Sequence, residues 1–191
     1  MNHEQLKSDK TSFGFWVYLM TDLVMFAGLF AAYAVLHNNT FGGAAGKDLF
    51  NLPFVLFETI ILLTSSFTVG LAMLEVEEGN KRTAMIWFLA TLVLGLSFLA
   101  IEFSEFSRLI TDGHTWQKSA FLSSFFTLVG THGIHITVGI IWLLIMLWQI
   151  KVRGLTTSNI RKLNSFSLFW HFLDIVWIFI FSFVYLIGGI K

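Results

Sequence analysis

Residues 121–150 read FLSSFFTLVGTHGIHITVGIIWLLIMLWQI, a stretch without one Asp, Glu, Lys or Arg. Wound as an α-helix at about 1.5 Å per residue, it would be about 45 Å long. A lipid hydrocarbon core is about 30 Å thick and needs roughly 20 apolar residues to cross it. The stretch is therefore read as a membrane span. It nevertheless carries His132 and His135, three residues apart and so on one helix face.

Working outward, four more stretches meet the same requirement: Phe13–Leu36, Pro53–Leu74, Ala84–Phe106 and Phe166–Gly189. Together with Phe121–Ile150 they predict an all-α integral membrane bundle of five transmembrane helices. The runs are continuous and lack the alternation of a membrane barrel, so strands are not expected. Composition agrees. Of 191 residues, 55% are hydrophobic and 13% charged, the latter about half the share of a soluble domain. Twelve Lys and Arg balance twelve Asp and Glu, so net charge gives no reason to expect a nucleic-acid partner. The absence of cysteine excludes disulfides and thiolate metal or iron–sulfur sites.

Residues 1–12, MNHEQLKSDKTS, form a polar N-terminal tail without the features of a signal peptide. The first apolar stretch is too long for a signal core and is read as a retained span. Residues 13–191 then make a single membrane domain. The connectors are His37–Leu52 (rich in Asn and Gly, and holding Lys47 and Asp48), Glu75–Thr83, Ser107–Ala120 and the basic Lys151–Ser165. No internal repeat is evident, and five spans do not suit an inverted-repeat transporter. With the N-terminus inside, eight Lys and Arg flank the spans on the inner side: Lys7, Lys10, Lys81, Arg82, Lys151, Arg153, Arg161 and Lys162. Four flank them outside: Lys47, Arg108, Lys118 and Lys191. The positive-inside rule therefore predicts a cytoplasmic N-terminus and a periplasmic C-terminus.

An ionised group in the bilayer centre costs several kcal/mol. Yet the spans hold Asp22, Glu58, Glu102, Glu105, His132, His135, His171 and Asp174. Counting the helical rise places Asp22, His132, His135 and Asp174 near mid-membrane. Glu58 and Glu102 fall in the outer half and His171 in the inner half. Glu105 falls close to the outer interface, where water can reach it. His171 and Asp174 share a face, as do Glu102 and Glu105, and Trp170 and Trp177 flank the His171–Asp174 face. Gly130, Gly133 and Gly139 predict close helix contact beside the histidines.

The simplest reading is that these groups hydrogen-bond one another and hold the helices in register. A proton relay needs a path to both surfaces, and the inner half offers only His171. A b-type haem could be ligated by His132 or His135 against His171, but their depths differ by several residues. A zinc site is less favoured without cysteine. Glu58, in Glu58–Thr59 ahead of Ser65, Ser66 and Thr68, has two readings: contact with lipid, or pairing with His132 or His135. A carboxyl removed from water resists ionisation. The neutral acid can donate one hydrogen bond and stays open to hydrophobic carboxyl reagents.

These residues resemble a known family. FGFWVYL (13–19), LFAAYAVL (29–36), GKDLFNLPFVLFE (46–58) and EFSEF (102–106) are similar to stretches of subunit III of the haem–copper oxidases. VGTHGIHIT (129–137) and SLFWHFLDIVW (167–177) are its most specific motifs here. Within the family the chain is most like the five-helix form of the quinol-oxidising cytochrome o branch. The resemblance implies an accessory subunit with no catalytic residue, metal or cofactor of its own. Haem, copper and quinone would sit in partner subunits. It implies direct contact with subunit I, assembly with subunit II and a small subunit IV, and bound phospholipid in a cleft between helices. It also implies a place in the bacterial inner membrane, and it matches Glu58 to the family's carbodiimide-reactive glutamate.

Overall fold

The computed structural model describes residues 3–37, 39–40 and 52–190. Lys47, Asp48 and Lys191 lie outside the described residues. Five helices are long and apolar enough to cross a membrane. They are α1 (His3–Leu36), α2 (Leu52–Glu77), α3 (Lys81–Thr111), α4 (Ala120–Arg153) and α5 (Thr157–Ile180). The last continues through a π-helical turn, Phe181–Leu186, into the short α6, Ile187–Ile190.

The expected spans are all present, and the helices outrun them. Helix α3 ends at Thr111 rather than near Phe106, and α5 begins at Thr157, ahead of Phe166. Most of the expected basic connector Lys151–Ser165 is therefore helix, and the break is confined to Gly154–Thr156. Local chemistry explains this. Gly154 takes φ +73°, open to glycine, and its N–H closes on Ile150 O at 2.9 Å, which ends α4. Thr156 then accepts from the Asn159 N–H at 3.3 Å, and the Asn159 amide donates to Gly154 O at 2.8 Å. Residues 157–165 are polar, so a hydropathy window misses them, yet the Thr156 cap starts a helix there. At the other end of α4, Ser119 caps by accepting from Leu122 N at 3.1 Å.

Helix α2 packs along α3, α3 along α4, and α4 along α5; α5 returns to α2, and α1 lies on α4 and α5. The surface is inverted relative to a soluble protein. Phe103 is 77% exposed and Val24 72%, while Glu58 and His132 are 0% exposed. Apolar side chains outside and acids inside suit a hydrocarbon solvent.

Candidate functional site

Two indoles on α5 organise the interior. Trp170 and Trp177 are both fully buried and lie seven residues, about 10.5 Å, apart along one helix face. Trp170 Nε1 donates to Ser65 Oγ of α2 at 3.0 Å. Its ring edge lies where a Cβ on Gly95 of α3 would come within 3.0 Å and one on Gly139 of α4 within 2.9 Å. One side chain thus joins four helices, and it fits because two of them present glycine. Trp177 repeats the arrangement: Nε1 donates to Thr59 Oγ1 at 3.0 Å, Phe98 of α3 meets it edge-on at 4.7 Å, and His132 of α4 stacks on it at 5.2 Å.

The two hydroxyls can accept because each sends its own proton elsewhere. Thr59 Oγ1 donates to Val55 O at 2.8 Å, and Ser65 Oγ to Leu62 O at 2.6 Å. Each lone pair is left facing α5. Thr68 and Thr91 tie α2 to α3 with hydroxyls 2.8 Å apart.

The ionisable groups occupy three levels along the bundle. Nearest the N-terminal end of α1, His171 Nδ1 lies 2.5 Å from Ser66 Oγ and 3.8 Å from the Asp174 carboxylate. At the next level, His135 Nδ1 donates to Thr131 O at 2.7 Å, which turns Nε2 toward Asp22 at 3.8 Å. Both ion-pair contacts are longer than a hydrogen bond. Phe26 of α1 packs on both His132 and His135. At the third level, Glu58, Glu102 and Glu105 are buried and close enough for their charges to interact. Tyr185, in the π-helical turn, is also fully buried.

The structure corrects the sequence reading of this region at Glu105. Glu105 is not a wetted interfacial group; it is 3% exposed. Its depth was counted from the end of the apolar run at Phe106, whereas α3 continues to Thr111. Glu58 is fully buried, neither of its carboxyl oxygens has a hydrogen-bond partner among the described residues, and Glu105 and Glu102 are its ionisable neighbours. His132 and His135 share a helix face but take different partners. His132 makes no protein hydrogen bond among the described residues and packs against Trp177 and Phe98, while His135 turns to Asp22.

The expected glycine contacts are found at Gly133, against the Glu102 carboxyl, and at Gly139; Gly130 meets Phe106 only at ordinary distance. The organising roles of Thr59, Ser65, Gly95 and the two indoles were not read from the sequence. The signal was there, in hydroxyls at 59 and 65 facing indoles at 170 and 177. Among the described residues, no three His, Asp or Glu side chains are grouped to hold a metal ion.

Comparisons with known proteins agree with this architecture. Residues 2–189 match the family model described as cytochrome c oxidase subunit III. The chain is 53% identical over 189 residues to cytochrome bo(3) ubiquinol oxidase subunit 3 of Pseudomonas aeruginosa, covering 99% of this chain and 90% of the relative. It is 46% identical over 175 residues to quinol oxidase subunit 3 of Bacillus subtilis, covering 92% and 86%. It is 43% identical over 175 residues to cytochrome c oxidase subunit 3 of Bacillus sp. (strain PS3), covering 92% and 84%.

Proposed function

The chain belongs to the cytochrome c oxidase subunit III family, and on that premise we propose that it is the accessory subunit III of a ubiquinol oxidase. The observation that carries this reading is the 53% identity, over 99% of the chain, to a relative named for ubiquinol. The complex oxidises quinol, reduces oxygen to water and moves protons across the bacterial inner membrane. Haem, copper and quinone belong to neighbouring subunits. This chain packs on subunit I, with subunit II and a small subunit IV completing the assembly. The N-terminus is cytoplasmic and the C-terminus periplasmic, a reading supported by the eight-to-four distribution of Lys and Arg.

The buried network supports a scaffold role. Its hydrogen bonds run from indoles to hydroxyls across helices, which suits holding register. Phospholipid contact is supported by an apolar groove of about 480 Å³ between α1 and α5, walled by Phe30, Ala31, Ala34, Phe179 and Phe183.

The test is to purify the tagged chain with its partners in mild detergent and follow oxygen consumption. Ubiquinol is expected to drive it and reduced cytochrome c to be inert. The reverse preference would place the chain in a cytochrome c oxidase instead.

Glu58 remains the expected carbodiimide site. In Glu58→Gln, assembly is expected to persist and labelling by a hydrophobic carbodiimide to disappear, read by peptide mapping. Labelling that persists at Glu102, which lines a groove between α3 and α4, would move the reactive carboxyl there.

A further inference from the structure

At the end of the bundle where α3 begins and α4 ends, the two helices enclose a groove of about 500 Å³. Its mouth carries one cation from each helix, Arg82 and Lys151, and its walls are apolar. The spacing explains the shape. Arg82, Met85, Ile86 and Leu89 follow at steps of three, four and seven, so they share one face of α3. Leu147, Trp148 and Lys151 do the same on α4. The helices are antiparallel, so both cations meet at one level, and the apolar walls run about 10 Å inward from them.

Three observations make the mouth a place for a negative charge. Lys81 Nζ donates to Lys151 O at 3.1 Å, which ties the two helix ends together at this level. Neither Arg82 nor Lys151 is in an ion pair among the described residues. The first turn of α3 also lacks a side-chain cap, because Asn80 donates to Glu78 Oε2 at 3.1 Å instead, and the positive end of the helix lies at the level of the two cations. Beside the mouth stands Trp148, 64% exposed, an amphipathic ring of the kind that settles at lipid headgroup depth.

We propose that this groove binds one net-anionic phospholipid, its phosphate between Arg82 and Lys151 and its acyl chain along Met85, Ile86 and Leu89. The proposal rests on the reading that this end of α3 and α4 lies at headgroup level. A second helix is a poorer occupant, because it would bury two unpaired cations at the mouth. A zwitterionic lipid would leave those cations without a net counter-charge.

The test is native mass spectrometry of the intact complex, captured through this chain and equilibrated with equal amounts of phosphatidylglycerol and phosphatidylethanolamine. Lipid retained on this chain after partner dissociation is counted. The wild type is expected to retain phosphatidylglycerol preferentially. The doubly substituted Arg82→Gln, Lys151→Gln chain is expected to lose that preference by about 30-fold, at about 1 kcal/mol per cation near a membrane surface. Ile86→Trp, which fills the groove without changing charge, is expected to expel both lipids. Equal retention of the two lipids by the wild type, or an unchanged preference in the double variant, would overturn the proposal. So would crosslinking of a photoreactive residue at position 86 to a partner subunit instead of lipid. If the chain is captured with no partner, the subunit assignment fails, while the lipid count on the chain alone still decides this site.

Discussion

Trp170→Ala is expected to destabilise the bundle by about 3–5 kcal/mol, the range for deleting a large buried aromatic side chain. The indole is fully buried and, like that of Trp177, touches α2, α3 and α4 from α5. Its loss opens a cavity lined by Gly95 and Gly139, which have no side chains to move into it. In a bilayer the helices do not need to unfold to come apart, and packing is what holds them together. The measurement is the detergent-denaturation midpoint of the purified chain. Ser65→Ala is the control: it keeps the whole indole and removes the acceptor of its hydrogen bond. Polar bonds between membrane helices average about 0.6 kcal/mol, so this variant is expected to remain close to wild type. Similar losses in both variants would mean that the hydrogen bond, and not the packing, is the main contribution.

Gly139→Leu tests the same junction from the other side. A Cβ at 139 would lie 2.9 Å from the Trp170 ring and 3.3 Å from Phe169, and the ring is held on its other side by Gly95. Overpacking of this kind costs about 1–3 kcal/mol where a neighbour can yield, and more where none can. In the Trp170→Ala background the added leucine enters the space that the indole has left. The penalty for Gly139→Leu is therefore expected to shrink by at least about 1 kcal/mol, a coupling typical of residues in contact. Additive losses would show that position 139 acts through some other neighbour.

These residues also show what could be read from the chain alone. The five spans were legible because hydrocarbon demands unbroken apolar runs, and nothing else in the sequence looks like Phe121–Ile150. The helix ends were not, because a helix can continue into the polar interface: residues 157–165 are capped by Thr156 and helical although they are not apolar. That same blindness misplaced Glu105. The ionisable set was legible because charge inside a span is rare, so Asp22, Glu58, Glu102, His132, His135, His171 and Asp174 stood out. Their partners were not legible. Charge rules favour acid–histidine bonds, yet the close cross-helix bonds inside the spans all run to hydroxyls, from the two indoles, from His171 and from a second hydroxyl, and hydropathy scales treat these hydroxyls and indoles as ordinary span residues. The π-helical turn at Phe181–Leu186, which holds the buried Tyr185, has no proline to announce it.

We propose that the intramembrane acids and histidines hold a scaffold beside the redox centres of the partner subunits. Asp174→Ala tests it most directly, because Asp174 is buried beside His171 and lies on α5 between the two indoles. The measurement is the yield of complex captured through this chain, together with the initial ubiquinol-oxidation rate per haem in what is captured. The yield is expected to fall while the rate per haem stays at the wild-type value. A normal yield with the rate per haem abolished would contradict the account and make Asp174 part of the reaction path.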